Sequence, residues 1–113
     1  MSREEYFATG PGYERRIHDA VLAHLEPLRP LHVEYVSVGI FFKRLRTFAE
    51  LRPMRNRVRL SVLLSRRLHH PRIVRTSRGA GERHAYFFDL HDADEVDDEI
   101  RDWLSEAYFS SPI

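Results

Sequence analysis

Between Arg57 and Leu64 the chain alternates strictly. Val58, Leu60, Val62 and Leu64 fall on one side, and Arg57, Arg59 and Ser61 on the other. Successive side chains of a strand point to opposite faces, so this segment belongs at the boundary between a core and a more polar surface. Such a strand needs a second layer over its apolar side. Helical periodicity at both ends of the chain supplies one. Tyr13, Ile17, Ala20, Val21, Leu25 and Leu28 recur at helical spacing after Gly10-Pro11-Gly12, which predicts a helix over 11–26 that stops at Pro27 and Pro30. Near the other end, Val96, Ile100, Trp103, Leu104, Ala107 and Tyr108 form a second apolar stripe. Asp92 with Glu95 three residues on is a capping-box pattern, so this helix is expected to begin at Asp92. Asp94, Glu95, Asp97, Asp98 and Glu99 crowd its first turns, as the helix dipole favours.

The intervening segments read as strands. His32–Phe42 is rich in β-branched and aromatic residues and predicts one long strand, with a bulge at Gly39. Lys43–Arg46 is a turn, Thr47–Arg52 a strand, and Pro53-Met54-Arg55-Asn56 a hairpin connection. Residues 65–82 carry Pro71 and Gly79-Ala80-Gly81 and read mostly as loop, with a short strand at 72–76 as an option. In Arg83–Leu90, His84, Tyr86, Phe88 and Leu90 share a face, where His84 reads as an ordinary core histidine. The expected fold is α+β in two layers, of order α-β-β-β-(β)-β-α: an antiparallel sheet of four or five strands, its short connections leaving both helices on one face. Residues 1–9 are expected to be a loosely ordered leader and residues 10–113 a single domain, a size that needs no cross-links.

No cysteine is present. Disulfides, thiolate zinc sites and cysteine nucleophiles are thereby removed together. The opening MSREEYFATG lacks the apolar core of a signal peptide, and no apolar run approaches the roughly 20 residues of a membrane-spanning helix. A soluble, cytoplasmic protein without a membrane partner is expected.

The net charge of +1 hides a segregation. Residues 43–83 hold thirteen Arg or Lys against Glu50 and Glu82, and residues 89–113 hold nine acids against Arg101. The basic stretch can meet an anionic partner, or the two stretches can attract each other within one fold. Lys43 is the one lysine beside seventeen arginines, which points to a coding bias toward arginine and lowers the information in each.

Thr47-Phe48-Ala49-Glu50-Leu51-Arg52-Pro53, the strand Val58–Leu64, His69-His70-Pro71-Arg72, and the run from Asp94 through Trp103 to Tyr108 carry a resemblance. Together they are similar to the bacterial family catalogued as domain of unknown function 5655, from about Phe7 onward. The resemblance implies a fold and no established activity, so it brings no catalytic residues with it.

Candidate chemistry comes from the residues themselves. His69-His70 and His84 are the histidines a folded loop can bring together, but no His-x-His or helical His-x-x-x-His offers a ready ligand pair, and no metal or cofactor is expected. Glu14 and His18 lie one turn apart and read as a surface hydrogen bond. Gly79-Ala80-Gly81 is followed by a strand, not the helix a phosphate loop requires, and reads as a flexible turn. No carboxylate pair or nucleophile elbow points to an enzyme. The arginines remain. Arg57 and Arg59 share the outer face of their strand, with Arg52 or Arg46 expected across from them. Arg66, Arg67, Arg72 and Arg75 are available to extend a basic patch. One phenylalanine each of Phe41-Phe42 and Phe87-Phe88 must point to the face without helices, as Leu63 does. Three functions follow, in order: a non-enzymatic interaction module, self-associating as a homodimer or binding another protein partner through the open face; a binder of nucleic acid or a phosphorylated ligand; and, third, a histidine-based enzyme.

Overall fold

The strand that alternates in sequence is buried on one side only, position by position, from Val58 to Leu64. It lies within the sheet of a computed structural model that describes residues 1–79 and 81–111. Among these residues the elements are α1 (Arg3–Tyr6), α2 (Gly12–Leu25), β1 (His32–Val36), β2 (Gly39–Lys43), β3 (Thr47–Pro53), β4 (Val58–Leu64), β5 (Arg75–Arg78), β6 (His84–Leu90), a 3-10 turn (Ala93–Glu95) and α3 (Asp98–Ser110). The protein is α+β. Its strands form one six-stranded antiparallel sheet of order β1-β2-β3-β4-β6-β5.

One row of paired residues fixes the layers. Tyr35, Ile40, Leu51, Leu60 and Phe88 are consecutive partners across β1, β2, β3, β4 and β6, so their side chains share a face. His18 of α2 bonds Tyr35 at one end of the row, and Trp103 of α3 stacks on Phe88 at the other. Both helices therefore cover this face, as their stripes predict.

Four expectations change. The run His32–Phe42 is a hairpin, not one strand, and reverses at Ser37-Val38, where Val36 pairs with Gly39. Ser37 is the one turn former in the two-residue loop, too weak a mark within so apolar a run to reveal the reversal. Gly39 is not a bulge. A Cβ there would meet the Leu51 carbonyl oxygen at 2.5 Å, so glycine permits the close approach of β2 to β3. The register slips instead between Phe42 and Lys43, which leaves Phe48 and Ala49 both buried on β3. Asp92 and Glu95 do form a capping box, but on the 3-10 turn; α3 begins a turn later, capped by Asp97, whose side chain accepts from the Ile100 N–H. The strand in the 65–82 segment lies at Arg75–Arg78 and forms the sheet edge beside β6. The Gly79–Gly81 turn contains residue 80, which lies outside the described residues, as do residues 112 and 113.

The N-terminal segment contains a short helix, α1, at Arg3–Tyr6. Ser2 and Glu5 form a capping box on α1, and Tyr6 and Phe7 pack half-buried against the core. Arg15 of α2 lies over the Phe7 ring at 5.4 Å.

Gly39→Ala tests the close approach. The added methyl collides with backbone that cannot rotate away, and overpacking of this kind costs about 1–3 kcal/mol. Urea titration should show that loss; an unchanged midpoint would mean that β2 and β3 sit further apart.

Candidate functional site

On the face away from the helices, Glu34, Phe41, Glu50, Ser61, Phe87 and Arg75 form a second row of consecutive partners across all six strands. Phe41 and Phe87 are half-buried here while Phe42 and Phe88 are fully in the core, so each aromatic pair divides between the faces. The Arg75 guanidinium lies over the Phe87 ring at 5.4 Å. A groove of about 460 Å³ runs over β3, β4, β6 and β5, with Leu63, Ala85 and Phe87 among its apolar lining and Arg52, Arg59 and Arg75 among its polar lining.

Most of these arginines already have carboxylates. Arg52 and Arg59 are cross-strand partners, as the alternation implied. Arg52 is held by Glu50 at 2.8 Å, and Arg59 and Arg57 converge on Asp89 at 2.9 and 3.0 Å. Partial burial pushes the Asp89 carboxyl up, but its bonds with Arg59 and Arg57 outweigh that and hold it below the usual carboxylate range. Among the described residues Arg75 has an aromatic ring but no carboxylate beside it.

The wider basic patch is not assembled. Arg66 makes a bidentate pair with Glu106 of α3, and Arg72 reaches Asp97 and Glu99 at the start of that helix, so both lie on the helical side. Arg67 is exposed in the loop after β4, and Arg46 is exposed in the β2–β3 turn. Arg16 adds a pair with Asp92. Among the described residues the acidic end thus pairs with four cations of the basic middle, Arg57, Arg59, Arg66 and Arg72. Each exposed pair contributes about 0–1 kcal/mol, so this is charge cancellation more than stability.

The histidines divide similarly. His70 Nε2 lies 2.9 Å from a Glu99 oxygen and its ring meets Trp103 edge-on at 5.0 Å. His69 is exposed, and His84 is half-buried at the start of β6, paired with Leu64 and Arg78, not in the core. Among the described residues no group of three or more His, Asp or Glu is placed to hold a metal ion.

Glu14 and His18 overturn the surface reading. Both are buried, and they do not bond each other. His18 Nδ1 meets Asp19 at 2.8 Å and Nε2 meets the Tyr35 hydroxyl at 2.7 Å, which also accepts from Arg3 Nε at 3.1 Å. Glu14 lies beside the buried Tyr6 hydroxyl, which makes no well-formed hydrogen bond. Helical spacing placed this pair on one face of α2; what covers that face is α1 and β1, which spacing within α2 cannot show.

The family model described as Domain of unknown function (DUF5655) matches residues 3–111. The chain belongs to this family. The match takes in α1, all six strands and α3, and so the sheet face with its groove. No curated protein and no solved structure matches the chain. Among the described residues no helix is long and apolar enough to cross a membrane.

Proposed function

We propose that this domain is an interaction module without catalytic chemistry of its own, which binds protein surface through its open sheet face. The observation that carries this is the groove: Leu63, Ala85 and Phe87 give it apolar lining, and of its three arginines Arg52 and Arg59 are already charge-paired while Arg75 lies over the Phe87 ring. Protein interfaces combine a desolvated aromatic core with a polar rim enriched in arginine. A nucleic-acid site makes the opposite demand, because its affinity comes from unpaired cations that release counterions from phosphates. Here Glu50 and Asp89 already bond Arg52 and Arg59, which leaves Arg75 as the one groove arginine without a carboxylate among the described residues.

Titration with a fluorescent single-stranded oligonucleotide tests this. Binding is expected to be negligible at physiological salt and unchanged by Arg52→Ala with Arg59→Ala. Salt-sensitive binding that those substitutions abolish would overturn the reading in favour of an anionic ligand.

A further inference from the structure

The open face is complementary to itself. Resting on the reading of that face as a protein-binding surface, we propose that its partner is a second copy of this chain, packed sheet to sheet about a two-fold axis parallel to the strands between β3 and β4.

A two-fold interface requires that if residue i meets residue j, then j meets i. The outer row reads Glu34, Phe41, Glu50, Ser61, Phe87, Arg75. An axis between its middle members, Glu50 and Ser61, sets β1 against β5, β2 against β6 and β3 against β4 of the other copy. Glu34 then faces Arg75, Phe41 faces Phe87, and Glu50 faces Ser61, each twice. Charge, aromatic and hydroxyl partners all match under this one operation. Shape agrees as well. The groove spans β3, β4, β6 and β5 and holds Phe87 and Arg75, while Phe41 stands on β2 outside it, so the Phe41 of each copy, set over β6 of its mate, enters the mate's groove.

The individual groups fit this arrangement. Arg75 is exposed and without a carboxylate among the described residues, which leaves its guanidinium available to Glu34 of the second copy. Lys43 occupies Oε2 of Glu34, so Oε1 is the acceptor that remains. Arg52 and Arg59 face their counterparts across the axis, each bringing its own acid, Glu50 or Asp89. Aligned packing of two sheets over their inner faces is a common solution for exposed sheet surface. Five strand spacings and a strand length give a face of roughly 24 by 20 Å, so about 960 Å² is buried in all. Stable specific interfaces bury about 1,200 Å² or more and smaller ones are weak and transient, so the dimer is expected to be micromolar in affinity and in exchange with monomer.

Light scattering and sedimentation of four proteins test the register: wild type, Phe87→Glu, Arg75→Glu and Glu34→Arg, each checked for folding by circular dichroism. Wild type should dimerise with rising concentration and Phe87→Glu should not. Each charge reversal should weaken dimerisation at least about tenfold by setting like charges together. An equimolar mixture of Arg75→Glu and Glu34→Arg should form heterodimers, because both of its cross-pairs are opposite in sign. Dimerisation lost in Phe87→Glu but indifferent to the reversals and to mixing would overturn this register and leave the face as an interface. A wild type that stays monomeric throughout would overturn self-association while the oligonucleotide result stands separately. A dimer untouched by Phe87→Glu would move the interface off this face and overturn the proposal.

Discussion

Trp103→Ala is expected to cost about 3–5 kcal/mol, the range for truncating a buried large aromatic. Trp103 is 7 % exposed and lies in the middle of the α3 stripe. Its ring stacks on Phe88 with centroids 4.8 Å apart and planes 18° from parallel, and the His70 ring meets it edge-on at 5.0 Å. It therefore ties three segments together: the C-terminal helix, a strand in the sheet interior and the long loop after β4. Removal leaves a cavity that none of them can close alone, because Phe88 is held in the row Tyr35–Ile40–Leu51–Leu60–Phe88. Against a total stability of about 5–15 kcal/mol, the loss is a large fraction. Trp103→Phe keeps a ring on Phe88 and should cost less. A urea titration that shows less than about 1 kcal/mol for the alanine variant would mean that α3 does not seat this side chain on the sheet.

His18→Ala is expected to cost about 2–4 kcal/mol, from the lost volume and from a buried Tyr35 hydroxyl left without its acceptor. His18 is fully buried between α1, α2 and β1. The site is satisfied by neutral imidazole, with Nδ1–H donating to Asp19 and Nε2 accepting from Tyr35, while Tyr35 accepts in turn from Arg3. Burial depresses the His18 pKa below its ordinary value against the opposing pull of Asp19, and Arg3 and Arg15 add to the depression. Below about pH 6.5 the unfolded chain therefore takes up a proton that the folded chain refuses. Stability should fall as pH drops through that window, by at most about 1.4 kcal/mol per pH unit. Glu14 works in the other direction. Burial raises its pKa despite the adjacent Tyr6, so the folded chain holds a proton that the unfolded chain has released above about 4.5. That contribution is present at low pH and lost as pH rises through the folded value. Glu14→Gln removes the charge but keeps the shape, so it should be at least as stable as wild type at neutral pH, with the advantage gone near pH 4. Urea midpoints across this range give the answer. A Glu14→Gln deficit that is present at neutral pH and shrinks as pH falls toward about 4 would show instead that Glu14 is ionised and partnered in the fold.

These cases separate two kinds of information. The faces of β4, the apolar stripes of α2 and α3, the capping box at Asp92 and the division of Phe41-Phe42 and Phe87-Phe88 between the two faces were all legible along the chain. Each depends on backbone geometry over a few residues: alternation in a strand, 3.6 residues per turn in a helix, a side chain reaching back three positions. The reversal at Ser37-Val38 was not read from the sequence, because a two-residue loop marked only by Ser37 and the Gly39 that closes it is a faint signal in an apolar run. Nor was the start of α3, since Asp92 and Asp97 are both good caps and only packing decides which begins the longer helix.

By itself the sequence determined a one-sided sheet, two covering helices and an excess of arginine opposite an excess of acid. Tertiary structure alone decided that Asp89 takes Arg57 and Arg59, that Glu106 and Asp97 draw Arg66 and Arg72 away from the open face, and that Arg75 is left there over Phe87. It also decided that Glu14 and His18 are buried, and that six residues from six strands line up from Glu34 to Arg75. The reason is register. Which residues face one another across strands, or from helix to sheet, depends on every loop length and on how the whole core closes, and no window of sequence contains that.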